Sequence, residues 1–177
     1  MRELELIAEL RSLLANTDPH VVRGPGDDAA VVRGSGYAVT SVDTMVEDVH
    51  FRRAQLSAAE IGHRALAAAL SDLAAMGLPG GQAYLALGLP RGYELGEARA
   101  LVAGAAALAQ RLGVTIAGGD VTAAPALIVA FTVVGWTDDE TRTPPVSWYY
   151  VRVIQDDGEL AWGSPMWVHR RPAQTGE

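Results

Sequence analysis

The sequence predicts an α+β domain, a mixed or antiparallel sheet with helices packed on one face. Three observations predict it. Two Ala- and Leu-rich stretches, near residues 57–76 and 94–112, have helical spacing and recognisable ends. Four stretches, 37–43, 82–89, 114–120 and 126–135, read as strands. The two kinds follow one another as α-β-β-α-β-α-β-β, which suits a two-layer sandwich.

Each element has a local reason. Leu4, Ile7, Leu10 and Leu14 recur at helical spacing, so a helix is expected over residues 2–15, stopped by Asn16-Thr17-Asp18-Pro19. A Gly-rich loop, 24–32, runs into a short strand that ends at the turn Gly34-Ser35-Gly36. That strand is expected to form a hairpin with the next, 37–43. Residues 47–53 read as a loop. Ser57 and Glu60 have capping-box spacing and open a helix that runs to Met76, with Gly77 at the left-handed closing position. Strand 82–89 follows, then helix 94–112, closed by Gly113. Strand 114–120 is expected to end in a loop at Asp120. Residues 126–135 (ALIVAFTVVG) form the most β-prone, buried-type strand.

The composition changes near residue 137. Asp138-Asp139-Glu140 is followed by Pro144-Pro145, and three of the four Trp lie within 148–167. Residues 1–137 therefore read as one domain and 138–177 as a divergent β-hairpin tail turning at Asp156-Asp157-Gly158.

Composition excludes several chemistries. All 14 basic residues are Arg. Without Lys there is no phosphate-binding P-loop Lys, no kinase strand Lys and no Schiff base. Without Cys there is no disulfide, thiolate nucleophile, Cys zinc site or iron–sulfur cluster. A net charge of −7 argues against nonspecific nucleic-acid binding. The N-terminus is charged and helical rather than a signal peptide, and no apolar run reaches the roughly 20 residues of a membrane span. The expectation is a cytoplasmic protein with neither membrane nor nucleic-acid partner.

Four acids stand out by position. Asp28 follows a Gly-Pro-Gly turn, Asp43 ends a strand, Asp72 lies inside a helix and Asp120 follows Gly118-Gly119. At about 100° per residue, Asp72 shares a face with Ile61, Ala65, Ala68 and Met76. A carboxylate buried there needs a cation or a donor; the alternative is satisfaction by backbone N–H groups. Ser41 and Asp43 share one strand face and offer two oxygens to a hard cation. The plainer reading of each loop Asp is a turn residue bonding its own backbone. Together the four suit Mg²⁺, which is commonly bound by carboxylates jointly with substrate phosphates. The four His residues lack zinc-site spacing.

The motifs GDDAAVV (26–32), SVDTMVEDVHF (41–51), IGHRALAAALSDLAAMG (61–77) and IAGGDVT (116–122) occur in the order seen in thiamine-monophosphate kinase. The chain resembles that family over roughly residues 3–135. The family belongs to a group with aminoimidazole ribonucleotide synthetase and selenophosphate synthetase. The resemblance implies the N-terminal domain fold of that group and Mg²⁺-dependent transfer of phosphate from ATP to thiamine monophosphate, giving thiamine diphosphate. It implies Asp28, Ser41, Asp43, Asp72 and Asp120 as ligands of several Mg²⁺ ions. Gly119 and Asp120 would contact the nucleotide and His50 the thiamine phosphate. It also implies a homodimer, in which the sheet pairs with its mate into a barrel-like core.

The departures are specific. Val42 stands where the family usually has Thr, a tolerable change if that contact runs through the backbone. The family's longer second domain is expected to be absent, making this a truncated homologue. The Arg-Ser-Gly-Ala stretch after the last strand is missing; Arg142-Thr143-Pro144-Pro145 stands near its place. The tail pieces YYVRVIQDDG and AWGSPMWV are similar to the end of certain PHP-type metallohydrolase-like proteins, which suggests a junction near 137–146. Two readings follow: the kinase, or a non-catalytic dimeric domain that retains Mg²⁺ or nucleotide binding.

Overall fold

The computed structural model describes residues 3–14, 18–26 and 28–138, and the strands Val146–Tyr149, Arg152–Ile154, Leu160–Trp162 and Met166–His169. The elements are α1 (Glu3–Leu13), β1 (Val21–Arg23), β2 (Val31–Val32), β3 (Tyr37–Val46), α2 (Ala58–Ala75), β4 (Gln82–Leu89), α3 (Leu95–Leu112), β5 (Thr115–Ala123) and β6 (Ile128–Thr137). In the tail they are β7 (Val146–Tyr149), β8 (Arg152–Ile154), β9 (Leu160–Trp162) and β10 (Met166–His169). The fold is the expected α+β class.

One four-stranded sheet has the order β3-β6-β4-β5, with β4 and β5 parallel and the other pairs antiparallel. Alternation decides what each face does. Val129, Phe131 and Val133 of β6, with Ala83, Leu85 and Leu87 of β4, are buried beneath the helices. On the other face lie rows such as Val42–Thr132–Tyr84–Gly118 and Thr44–Ala130–Ala86–Asp120. Val42 there is 64% exposed.

The helices have the expected ends. Ser57 N–H donates to Glu60 Oε2 at 2.8 Å and Glu60 N–H to Ser57 Oγ at 3.3 Å, completing the capping box. Gly113 closes α3 at φ +68°. The Ala and Gly richness has a packing reason. A Cβ on Gly62 would run into the Leu101 carbonyl, and one on Gly104 into the Ala59 carbonyl, so α2 and α3 pack backbone to backbone.

Four expectations are corrected. β2 pairs with β1, not β3: it is bonded into the 18–23 segment, where the Arg33 N–H also donates to the His20 carbonyl at 2.7 Å, while β3 pairs along its whole length with β6. β3 continues to Val46, so Asp43 is mid-strand. β5 continues to Ala123, so Asp120 is also mid-strand, held by parallel pairing with β4. Asp72 is exposed rather than buried: the covered stripe of α2 is Ile61, Gly62, Ala65, Leu66, Ala69, Leu70 and Leu73, and Asp72 and Met76 emerge beyond it near the helix end.

In the tail, β7 pairs antiparallel with β10, and β8 with β9 nested inside, from Val146↔His169 to Ile154↔Leu160. The expected turn at 156–158 and the expected junction, apart from residues 137 and 138 and Val146, lie outside the described residues.

Candidate functional site

β3 is an edge strand, and its positions 39, 41, 43 and 45 turn toward α2. This brings Ser41 beneath the end of α2, where its Oγ donates to Asp72 Oδ2 at 2.5 Å. Asp72 is therefore satisfied by a hydroxyl, not by backbone N–H groups. Asp43 lies on the same face, about 7 Å further along the strand. Its Oδ1 accepts the Thr44 N–H at 2.7 Å. Val42 points to the opposite face, so any part this position takes in a site with Ser41 and Asp43 comes from its backbone.

Gly119, Asp120 and the loop of Asp28 lie at the other edge. Asp120 pairs with Ala86 on β5 and is exposed. A Cβ on Gly119 would strike the Leu85 carbonyl, which gives that glycine a packing role in the sheet. Gly118 lies beside Tyr84 and Ala30, so the loop carrying Asp28 runs along the β5 side. Two strands separate β3 from β5, which is roughly 14 Å across the sheet. Asp120 also faces away from the helices, opposite to Asp43. One chain thus brings Ser41, Asp43 and Asp72 to one edge and does not bring Asp120 to them. Among the described residues, no group of three or more His, Asp or Glu side chains could hold a metal ion.

The donor chemistry of the β3 edge nonetheless fits a hard cation. Its groups are all oxygen, and each carboxylate has an oxygen beyond the bond named. Mg²⁺ typically takes one or two carboxylates from protein and its other ligands from water and phosphate.

His50 lies just past β3. Its Nδ1 accepts the Val46 N–H at 3.0 Å, and the His50 backbone N–H donates to the Val46 carbonyl at 2.9 Å. An accepting Nδ1 carries no proton, so the neutral ring holds its proton on Nε2.

Glu47 and Arg53 of this loop, and Tyr93 between β4 and α3, were not singled out from the sequence. Glu47 Oε1 accepts from Arg53 Nε at 2.6 Å and Oε2 from the Leu127 N–H at 3.2 Å. Arg53 lies over the Tyr93 ring, 5.4 Å from its centroid. Burial pushes the Glu47 carboxyl up, but the Arg53 hydrogen bond, the Leu127 amide and the Arg53 charge outweigh it and hold the group below the usual glutamate range. The hydrogen bond to Glu47 raises Arg53 in turn. Burial pushes the Tyr93 phenol up to about 12. The only sequence signal was opposite charge six residues apart inside a loop, where no periodicity applies.

A cleft of about 830 Å³ opens where β4 and β5 begin, lined in part by Asp18, His20, Arg33, Gln82 and Trp136. None of the site residues expected from the sequence lines it. Asp18 is held there by the His20 N–H at 2.9 Å and the Thr115 hydroxyl at 3.1 Å. Among the described residues, no helix is long and apolar enough to cross a membrane.

Residues 26–137 match the family described as AIR synthase related protein, N-terminal domain. The chain belongs to that family. Over 153 residues it is 33% identical to the thiamine-monophosphate kinase of Mycobacterium tuberculosis, covering 84% of this chain and 46% of the relative. The Bacillus subtilis thiamine-monophosphate kinase is 39% identical over 142 residues, 76% of this chain and 42% of the relative. The crystal structure of thiamine-monophosphate kinase from Stenotrophomonas maltophilia aligns with a TM-score of 0.67 at 31% identity, over 89% of this chain and 51% of that one. The chain spans about half the length of the relatives it matches. Their shared fold is the two-layer N-terminal domain described above.

Proposed function

We propose that this chain takes part in Mg²⁺-dependent transfer of the ATP γ-phosphoryl group to thiamine monophosphate, giving thiamine diphosphate in the cytoplasm. The observation that carries the reading is the Ser41–Asp72 bond beside Asp43, an all-oxygen edge on the strand that leads into the loop holding His50. The similarity to named thiamine-monophosphate kinases supports it.

Asp43 and Asp72, with Ser41, would hold Mg²⁺. Bound there, the ion neutralises charge on polyphosphate oxygens in an otherwise acidic, Lys-free chain. The Ser41 hydroxyl orients Asp72. The outward Nε2–H of His50 is a neutral donor suited to the phosphate of thiamine monophosphate. A phosphate acceptor is already ionised near neutral pH, so positioning and charge neutralisation suffice without a protein nucleophile or strong base.

In the same reading Asp28 and Asp120 are further Mg²⁺ ligands, and Gly119 and Asp120 contact the nucleotide. Their position on the β5 edge supports a ligand set completed by a second copy of the chain. The sheet face without helices supports the same homodimer: Val42, Tyr84, Ala86, Ala130 and Thr132 line it, with Val42 largely bare. Burying such a face removes apolar surface from water.

Calorimetric titration with a non-hydrolysable ATP analogue tests the site. Mg²⁺-dependent binding is expected in the wild type and a loss of at least tenfold in Asp72→Asn. Equal binding by the folded variant would contradict the site. Mg²⁺-dependent binding of the analogue, with no thiamine diphosphate formed when ATP and thiamine monophosphate are supplied instead, would favour the second reading, a non-catalytic nucleotide-binding dimer.

A further inference from the structure

We propose that Glu47 is a positioning residue that clips the 47–53 loop to the start of β6 and so fixes the place and tautomer of the His50 ring. The inference rests on reading His50 as the substrate-facing group, and it assigns the residues that make it so.

Glu47 is bound from both of its ends. Its N–H donates to the Leu127 carbonyl at 2.9 Å, and its Oε2 accepts the Leu127 N–H at 3.2 Å. Leu127 is fully buried and leads into β6, so the clip is anchored in the core. The other carboxylate oxygen takes Arg53 Nε at 2.6 Å, which ties the far end of the loop to the near end. The Glu47 side chain is only 14% exposed, against 41% for Arg53, so the bond is partly shielded from water. Arg53 in turn rests on Tyr93, itself 4% exposed.

Between these anchors the chain makes a tight reversal. Asp48 adopts φ +62°, an uncommon value for a non-Gly residue, and its N–H donates to the Phe51 carbonyl at 2.8 Å. Phe51 is buried and fixes the exit. His50 is exposed, yet its ring is fastened through Nδ1 to the backbone of Val46. Nδ1 being occupied as an acceptor, the group left to meet a ligand is Nε2–H, a donor. That geometry holds only while residues 46–50 keep their reversal, which the Glu47 clip maintains. A surface ion pair of this kind would add little to stability; its value here is in where it leaves the imidazole.

Glutamine at position 47 offers one acceptor oxygen where two donors converge, so Glu47→Gln must release either Arg53 or Leu127. Long-range ¹H–¹⁵N NMR of the histidine rings reads the outcome in the full chain. In the wild type, His50 is expected to give a protonated Nε2 and an unprotonated Nδ1. In Glu47→Gln the two nitrogen signals move toward each other as the ring samples both tautomers, and half-saturation of the His50 shift by thiamine monophosphate rises at least threefold. Arg53→Ala, which leaves the Leu127 bond intact, gives the same change in smaller measure and serves if Glu47→Gln does not fold. An unchanged His50 tautomer in either folded variant would overturn the proposal. Failure of the parent reading shows separately, as a wild-type His50 signal that thiamine monophosphate does not move.

Discussion

The Ser41 hydroxyl donates to the Asp72 carboxylate at 2.5 Å, joining two residues 31 positions apart. The bond links the edge strand to the end of α2 and engages one carboxylate oxygen of an exposed Asp72. Hydrogen bonds to charged groups contribute about 1.5–3 kcal/mol. Ser41→Ala is expected to weaken Mg²⁺-dependent nucleotide binding by roughly tenfold. Asp72 is exposed and Asn keeps an acceptor oxygen for the Ser41 hydroxyl, so Asp72→Asn should shift unfolding by no more than about 1 kcal/mol in denaturant titration. A large loss of stability in Asp72→Asn would mean that the carboxylate is structural.

Val42 sits midway along the edge strand β3, on the sheet face without helices, and is 64% exposed. Arg at this position places a charge where a second copy is expected to pack. Light scattering should find the wild type dimeric and Val42→Arg monomeric, with unchanged circular dichroism. A monomeric wild type would contradict the dimer.

Gly104 lies against the Ala59 carbonyl across the α2–α3 contact, so Gly104→Ala forces the helices apart. Overpacking of this kind costs about 1–3 kcal/mol, more than the roughly 1 kcal/mol that Ala gains over Gly in a helix. Gly96, on the same helix, has open space around its Cβ position. Thermal melts should show Gly104→Ala lowered by several degrees and Gly96→Ala unchanged or slightly raised.

The Glu47 carboxyl is held below its usual value in the folded chain. A depressed folded pKa gives stability that is present above the unfolded value and is lost as pH falls through the folded one. From about pH 4.5 downward the wild type should therefore lose stability faster than Glu47→Gln, as read by urea midpoints at a series of pH values. Parallel curves would contradict the assigned shift.

The sequence made the helices legible because their signals are local. Ser57 with Glu60 marks one start, and Gly77 and Gly113 mark the ends. Strand β4 was readable to the residue for the same reason. Pairing was not readable: the two valines of β2 are adjacent in sequence to β3, yet they pair with β1. The lengths of β3 and β5 were underestimated because each expected strand was ended at its Asp, a residue depleted in strands, although the β-branched Thr44, Val46, Val121 and Thr122 beyond it continue the pairing. At the site, Ser41 and Asp43 could be placed together from alternation alone. The burial of Asp72 could not be judged, since a helical wheel fixes direction but not how far a neighbouring layer extends. Glu47, Arg53 and Tyr93 meet only through tertiary contacts.

Formation of thiamine diphosphate from ATP, Mg²⁺ and thiamine monophosphate by the purified chain, with Asp72→Asn alongside, tests the central claim most directly. The account predicts turnover that requires Mg²⁺ and falls at least a hundredfold in the variant. A folded wild type that binds the nucleotide with Mg²⁺ and forms no thiamine diphosphate would contradict it.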